Sequence, residues 1–208
     1  MNEGRLYYVM GPSGAGKDSV LAWIRQQGAA HGVLCAHRYI TRPAHAGGEN
    51  HVALSEDEFR LREQRGLFVL SWQAHGLHYG IGSEVLHWLA HGMDVLANGS
   101  RAAFELARQR FDNLQPVLIT ASAERIAQRL AARGRETEAD IAARLQRAQA
   151  YPVPPGSLLI RNDDSVAEAG ALLLRAICEA RESMRGREGR ETEGTAQAMD
   201  YGSPLFQE

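Results

Sequence analysis

Short runs of almost unbroken apolar residues recur along the chain, at LYYVM (6–10), GVLCA (32–36), MDVLA (93–97), PVLIT (116–120) and SLLIR (157–161). Apolar side chains pointing to both sides predict strands covered on both faces, as in a parallel sheet. The stretches between them carry helix signals. SEDE at 55–58 reads as a capping box, with Ser55 as N-cap and Glu58 three residues on. SEVLHWLAHG (83–92), SAERIAQRLAARG (122–134) and TEADIAARLQRAQA (137–150) each start on a hydroxyl residue, and the first two close on glycine. Strands alternating with helices predict an α/β fold, a five-stranded parallel sheet sandwiched by helices. Ligands of such folds bind at the carboxyl ends of the strands.

Two stretches break the alternation. Residues 38–80 hold no long helix and are rich in Gly, His and Tyr, which predicts a small inserted subdomain. Residues 183–208 are polar and Gly-rich, and are expected to be disordered. At 208 residues the chain fits one domain with insertions. Its net charge of −2 offers no basic face for nucleic acid or an anionic membrane. No apolar run is long enough to span a bilayer, and the start has no leader pattern, so a cytoplasmic protein is expected. Cys35 and Cys178, far apart in apolar stretches, read as free thiols. His87 and His91 have helical zinc spacing but lack a catalytic Glu between them and a third ligand, so they read as surface histidines.

The candidate chemistry lies between the first strand and the first helix. Residues 11–17, GPSGAGK, have the form G-x-x-x-x-G-K, in which a glycine-rich turn aims backbone N–H groups at phosphate oxygens. The helix N-terminus behind it favours anions. Gly11, Gly14 and Gly16 supply the turns, Pro12, Ser13 and Ala15 complete the loop, and Lys17 reaches the β- and γ-phosphates. A Ser or Thr usually follows the lysine and reaches the magnesium ion, but here Asp18 does. Two readings stand. Asp18 offsets the helix dipole, or its carboxylate takes over the Mg²⁺ contact, directly or through a water. Ser19 points about 100° further round the helix and cannot stand in for the missing hydroxyl. Arg133, Arg135 and Arg144 surround a helix break, as a lid closing over a triphosphate would need.

Together GPSGAGK, YITRP…GGEN, HGLHYGIG, RLAARGRETEADIAARLQRA and NDD resemble, in order, the guanylate-kinase-like P-loop kinases. The resemblance covers about Leu6 to Arg181. It implies a kinase domain over 1–182, an acceptor-binding insertion at about 38–80 and a lid at about 133–148. It also implies that Arg133 and Arg144 act at the transferring phosphate, that Asn162 lies near adenine, and that Arg42 and Tyr79 hold the acceptor's phosphate. Ser19, next after Asp18, is counted with the loop among the ATP-binding residues.

The departures narrow the resemblance. Guanylate kinases read guanine with two acids, and here Leu70 and the segment Ala97–Ser100 stand around those positions. Unmatched guanine donors would cost about 1–3 kcal/mol each. His51 replaces a family tyrosine, and a second phosphate-holding arginine is absent, with Ala44 and His45 in its place. GPSGAGKDS, AHRYITR, ENHVALSEDEF, LSW, GLHYG and NGSR are similar instead to the ribose 1,5-bisphosphate phosphokinases, whose pattern includes the Asp after the lysine. That implies an ATP- and Mg²⁺-dependent kinase acting on a small phosphosugar, with Asp18 a feature of the family. Of the two readings of Asp18, the Mg²⁺ contact is the one expected from its chemistry beside a triphosphate. Arg38, Arg42, His51, Tyr79, Ser100 and Arg101 are then the expected acceptor residues, Arg38 and Arg101 by position alone. A guanylate or other nucleoside monophosphate kinase is the alternative activity. A non-catalytic interaction module of the same fold is opposed by the intact Gly11, Gly16 and Lys17.

Overall fold

The computed structural model describes residues 3–46, 49–132, 134, 137–150 and 152–199, with the backbone alone at 147–150, 185 and 187–199. Five strands form the parallel core sheet: β1 (Leu6–Met10), β2 (Val33–Cys35), β7 (Asp94–Asn98), β8 (Leu114–Thr120) and β9 (Leu158–Arg161). Their spatial order is β2-β7-β1-β8-β9. These are the five apolar runs read from the sequence, displaced by a residue or two at their ends. The chain leaves central β1 for β2 and returns through β7, so the end of β1 is a topological switch point, where such sheets bind ligands.

Side chains alternate across β1 and divide the core in two. Tyr7 and Val9 face α1 (Lys17–Gln27) and α7 (Val166–Met199), packing with Val20, Ile24, Leu173 and Ile177. Leu6, Tyr8 and Met10 face the other layer, with Val85 and Leu89 of α3 (Glu84–Ala90) and Phe104 of α4 (Phe104–Arg110). Central Tyr7, Tyr8 and Val9 are 0 % exposed, which is why these strands show no polar alternation.

The insertion is a four-stranded sheet, in the order β4-β3-β6-β5: β3 (Arg38–Ile40), β4 (Val52–Ala53), β5 (Phe68–Ala74) and β6 (Leu77–Gly82). Its helix α2 (Glu56–Gln64) starts as read, with the Glu58 N–H donating to Ser55 Oγ at 3.2 Å. Phe59 of α2 packs on one face of this sheet, against Phe68 and His78. Leu70 and Ile81 on the opposite face join the core layer that holds Tyr8 and Met10.

Three further readings meet the structure here. The segment 122–150 folds as α5 (Ala123–Ala132) and α6 (Glu138–Ala150), with Ser122 and Thr137 capping as expected. Ser83, by contrast, makes no side-chain cap. It adopts helical dihedrals while its N–H donates to Leu67 O at 2.9 Å, so the strand connection sets the start of α3. Of the segment 183–208, the backbone to Met199 continues α7, and residues 200–208 lie outside the described residues. Extending a helix already anchored by Leu173, Leu174 and Ile177 is cheaper than nucleating one. Among the described residues no helix is long and apolar enough to cross a membrane.

Candidate active site

The phosphate loop links β1 to α1. Gly16 ends it in the left-handed region at φ 85°, and a Cβ there would sit 2.3 Å from Asn162 Nδ2, so only glycine fits. A Cβ on Gly11 would meet Ile119 O at 2.0 Å. The first N–H groups of α1 have no carbonyl one turn back to bond, which leaves them for an anion. Lys17 folds over the loop and donates through Nζ to Gly11 O at 2.8 Å and Pro12 O at 3.1 Å. Desolvation pushes its pKa down to about 8; Asp18 opposes this, and Arg38 and Arg101 add to it. The same interactions show which charges the fold gathers here: Asp18, Arg38, Arg101 and Glu49 all act on the Lys17 ammonium.

Two residues brace the loop from behind. Asn162 follows β9 and is 1 % exposed, and its Nδ2 donates to Ala15 O at 2.8 Å. Arg129 of α5 donates to Asn162 O at 2.7 Å and to Ala15 O at 3.4 Å. The amide expected to lie near adenine is thus committed to the loop backbone, and its Oδ1 is buried with no hydrogen-bond partner among the described residues. Sequence reading missed Arg129. It sits inside the quoted lid stretch, but its partners are 33 and 114 positions away.

On the facing side, β3 carries Arg38 at its start, and Arg42 follows just beyond its end. Arg38 grips Glu49 with a two-pronged ion pair, Nε to Oε1 at 2.5 Å and Nη2 to Oε2. Arg42 Nη2 lies 3.3 Å from Glu49 Oε2 and 3.3 Å from His51 Nδ1. Burial raises the Glu49 pKa, but the Arg38 hydrogen bond and the charges of Arg38, Arg42 and His51 outweigh it, leaving the carboxyl below its ordinary value. The Arg38 guanidinium lies 5.1 Å over the Tyr79 ring, which stacks on Trp72 at 5.5 Å and 6°. Arg38, Arg42, His51 and Tyr79, read as acceptor residues, therefore form one cluster. Glu49 completes it. It was visible in GGEN but had no role until the fold set it between two arginines.

The other predicted residues divide. Arg144 of α6 reaches the loop and donates from Nη1 to Ser13 Oγ at 2.9 Å. Arg133 lies outside the described residues. Ser19 is exposed on the first turn of α1. The Ser100 hydroxyl accepts from the Ala102 N–H at 3.2 Å, capping the short turn Arg101–Ala103. Its backbone is tied to the Tyr8 hydroxyl. Arg101 lines a cavity of about 940 Å³ together with Pro12, Phe104, Leu145 of α6 and Arg161.

Asp18 faces the end of β7, where Asn98 Nδ2 donates to Asp18 Oδ1 at 2.8 Å. Among the described residues no group of three or more His, Cys, Asp and Glu could hold a metal ion. The donors present fit magnesium nonetheless, because Mg²⁺ takes one or two carboxylates and completes its shell with water and substrate phosphates. The free thiol of Cys35 is a packing group: it is buried, and burial pushes its pKa up to about 11.

A strand-to-helix phosphate loop at a switch point, a cationic insertion opposite it and a helical hairpin reaching over it define a P-loop kinase. Comparison with solved structures agrees on the fold. Guanylate kinase from Anaplasma phagocytophilum superposes with a TM-score of 0.61 at 17 % identity, covering 85 % of each chain. A gluconokinase from Sinorhizobium meliloti does so at 0.50 and 16 %, over 90 % of this chain and 99 % of that one. No protein-family model matches the chain. Curated relatives do. Ribose 1,5-bisphosphate phosphokinase PhnN of Chromobacterium violaceum is 55 % identical over 83 % of this chain and 92 % of its own. The protein of that name from Thiobacillus denitrificans is 50 % identical over 89 % and 98 %. In Laribacter hongkongensis it is 57 % identical over 80 % of this chain, which spans 41 % of that relative's length. The chain belongs to the ribose 1,5-bisphosphate phosphokinase family.

Proposed function

We propose that this kinase transfers the γ-phosphoryl group of ATP, bound with Mg²⁺, to ribose 1,5-bisphosphate, giving 5-phospho-α-D-ribose 1-diphosphate and ADP. An oxygen of the 1-phosphate forms the new bond to the γ-phosphorus, and the bond from that phosphorus to the β–γ bridging oxygen breaks. The attacking oxygen is already anionic near neutral pH, so no general base is needed. What the protein must do is bring two polyanions together and offset their charge. Lys17 and the loop amides hold the β- and γ-phosphates, with Asp18 toward the cation. Arg133 and Arg144 close from the lid, Arg38, Arg42 and His51 take the acceptor's phosphates, and Tyr79 supports Arg38. When bound, magnesium supplies charge neutralisation between the β- and γ-phosphates.

The observation that carries the acceptor assignment is what replaces a base-reading pocket. Leu70 is 4 % exposed within an apolar cluster, and the carboxylate among the arginines, Glu49, is engaged by both Arg38 and Arg42. A guanine edge would find no acceptor at Leu70, whereas a second phosphate finds arginines. The test is an ADP-release assay with ribose 1,5-bisphosphate beside GMP. Two unmatched guanine donors at about 1 kcal/mol or more each predict at least about 30-fold higher kcat/KM for the phosphosugar. A preference for GMP would overturn the assignment.

A further inference from the structure

In P-loop nucleotide enzymes the magnesium ion sits between a hydroxyl just after the loop lysine and a carboxylate on a second strand motif. In this chain acid and neutral group stand the other way round. Asp18 follows Lys17, and β7, which pairs with β1 in the register Val9↔Asn98, ends on Asn98. The two side chains touch, Asn98 Nδ2 donating to Asp18 Oδ1 at 2.8 Å although 80 positions separate them.

Asn98 is 4 % exposed, and its Oδ1 is buried with no hydrogen-bond partner among the described residues. An asparagine kept only to orient Asp18 would leave that oxygen desolvated without return. A hydrated cation beside Asp18 would supply the missing donor. Charge leads to the same conclusion. Asp with Asn carries one negative charge, as Ser with Asp does, so the exchange keeps the charge next to the triphosphate constant. An acid at both positions would place two carboxylates within hydrogen-bond distance of each other.

We propose that Asn98 is a positioning residue for the nucleotide's divalent cation. Its Nδ2 fixes the Asp18 carboxylate, and its Oδ1 is the neutral acceptor of the pair, available to a water that the cation carries. The proposal rests on the reading of Asp18 as the cation's carboxylate, and it does not depend on which acceptor is phosphorylated.

The test uses Mn²⁺ as the probe, with free Mn²⁺ measured by electron paramagnetic resonance in the presence of ADP and the full chain. Asn98→Ala weakens Mn²⁺ binding to the ADP complex about 10- to 100-fold, as losses of outer-shell partners do. ADP affinity measured in EDTA stays unchanged, which a general loosening of the site would not allow. Asp18→Ser weakens Mn²⁺ binding as well, and the double exchange Asp18→Ser with Asn98→Asp recovers it. Circular dichroism melting identifies any variant that fails to fold, and the double exchange keeps the test decisive if Asn98→Ala is one. Parental Mn²⁺ affinity in Asn98→Ala, or no recovery in the double exchange, would overturn the role of Asn98. Parent protein that binds Mn²⁺·ADP no better than ADP alone would remove the reading of Asp18 itself, and the proposal with it. No acceptor enters these measurements, so either failure leaves the acceptor assignment to its own assay.

Discussion

Lys17 is a cation held where solvation is poor, with Arg38 and Arg101 among the charges that act on it. Its folded pKa of about 8, against an ordinary 10.5, fixes the sign of a pH effect. Between those values the unfolded chain binds a proton that the folded chain does not, so this group adds stability as pH rises through the window. Phosphate binding runs the opposite way, because it needs the ammonium. Calorimetric ATP affinity should fall about tenfold per pH unit above about 8, and Lys17→Met should remove that slope while weakening binding throughout. A flat profile in the parent protein would contradict the burial of this charge. At this scale the loop was legible in the sequence, since G-x-x-x-x-G-K is a local pattern whose spacing is its mechanism. Asn98, Arg129 and Glu49 were not, because each gains its role from a partner that only the folded chain brings near.

Among the elements, the strands of the core sheet were readable because burial on both faces leaves a continuous apolar run, a signal independent of topology. The insertion was read as a subdomain without its sheet. Its strands are short, β4 has only two residues, and Arg38 and Tyr79 share a face with Leu70 and Ile81, which breaks up the apolar pattern. α4 went unread for a related reason: seven residues are too few for helical periodicity to stand out. Phe59 ties α2 to the insertion sheet at 1 % exposure. Phe59→Ala should cost about 3–5 kcal/mol in urea unfolding. In the enzyme that still folds, KM for the acceptor should rise more than KM for ATP, since the arginines proposed to hold the acceptor lie on or just beyond β3 of the loosened sheet and Lys17 does not. Equal changes in both constants would show that the insertion and the nucleotide site are one rigid unit.

Across the whole molecule, two long-range ties hold the sheet to its outer helices. Arg181 of α7 pairs with Asp94 at the start of β7, through Nε to Oδ2 at 2.8 Å and through Nη2, and also donates to His31 O at 2.6 Å. The Asp94 side chain is 3 % exposed, so Arg181→Met strands a buried charge that, among the described residues, keeps the Arg5 N–H alone as hydrogen-bond donor. A loss of about 3–5 kcal/mol is expected, read as a lower urea midpoint, with a smaller loss in Arg181→Met/Asp94→Leu. Arg129 and Asn162 make the second tie, binding α5 and the end of β9 to the phosphate loop. With the nucleotide side so fixed, the central claim concerns what the arginine cluster on the insertion receives. The most direct measurement is ³¹P NMR of the full chain with ATP, Mg²⁺, ribose 1,5-bisphosphate and GMP in one sample. The account predicts that the sugar's 1-phosphate signal gives way to a coupled diphosphate pair as ADP forms, while GMP persists. Appearance of GDP with the 1-phosphate signal intact would contradict it.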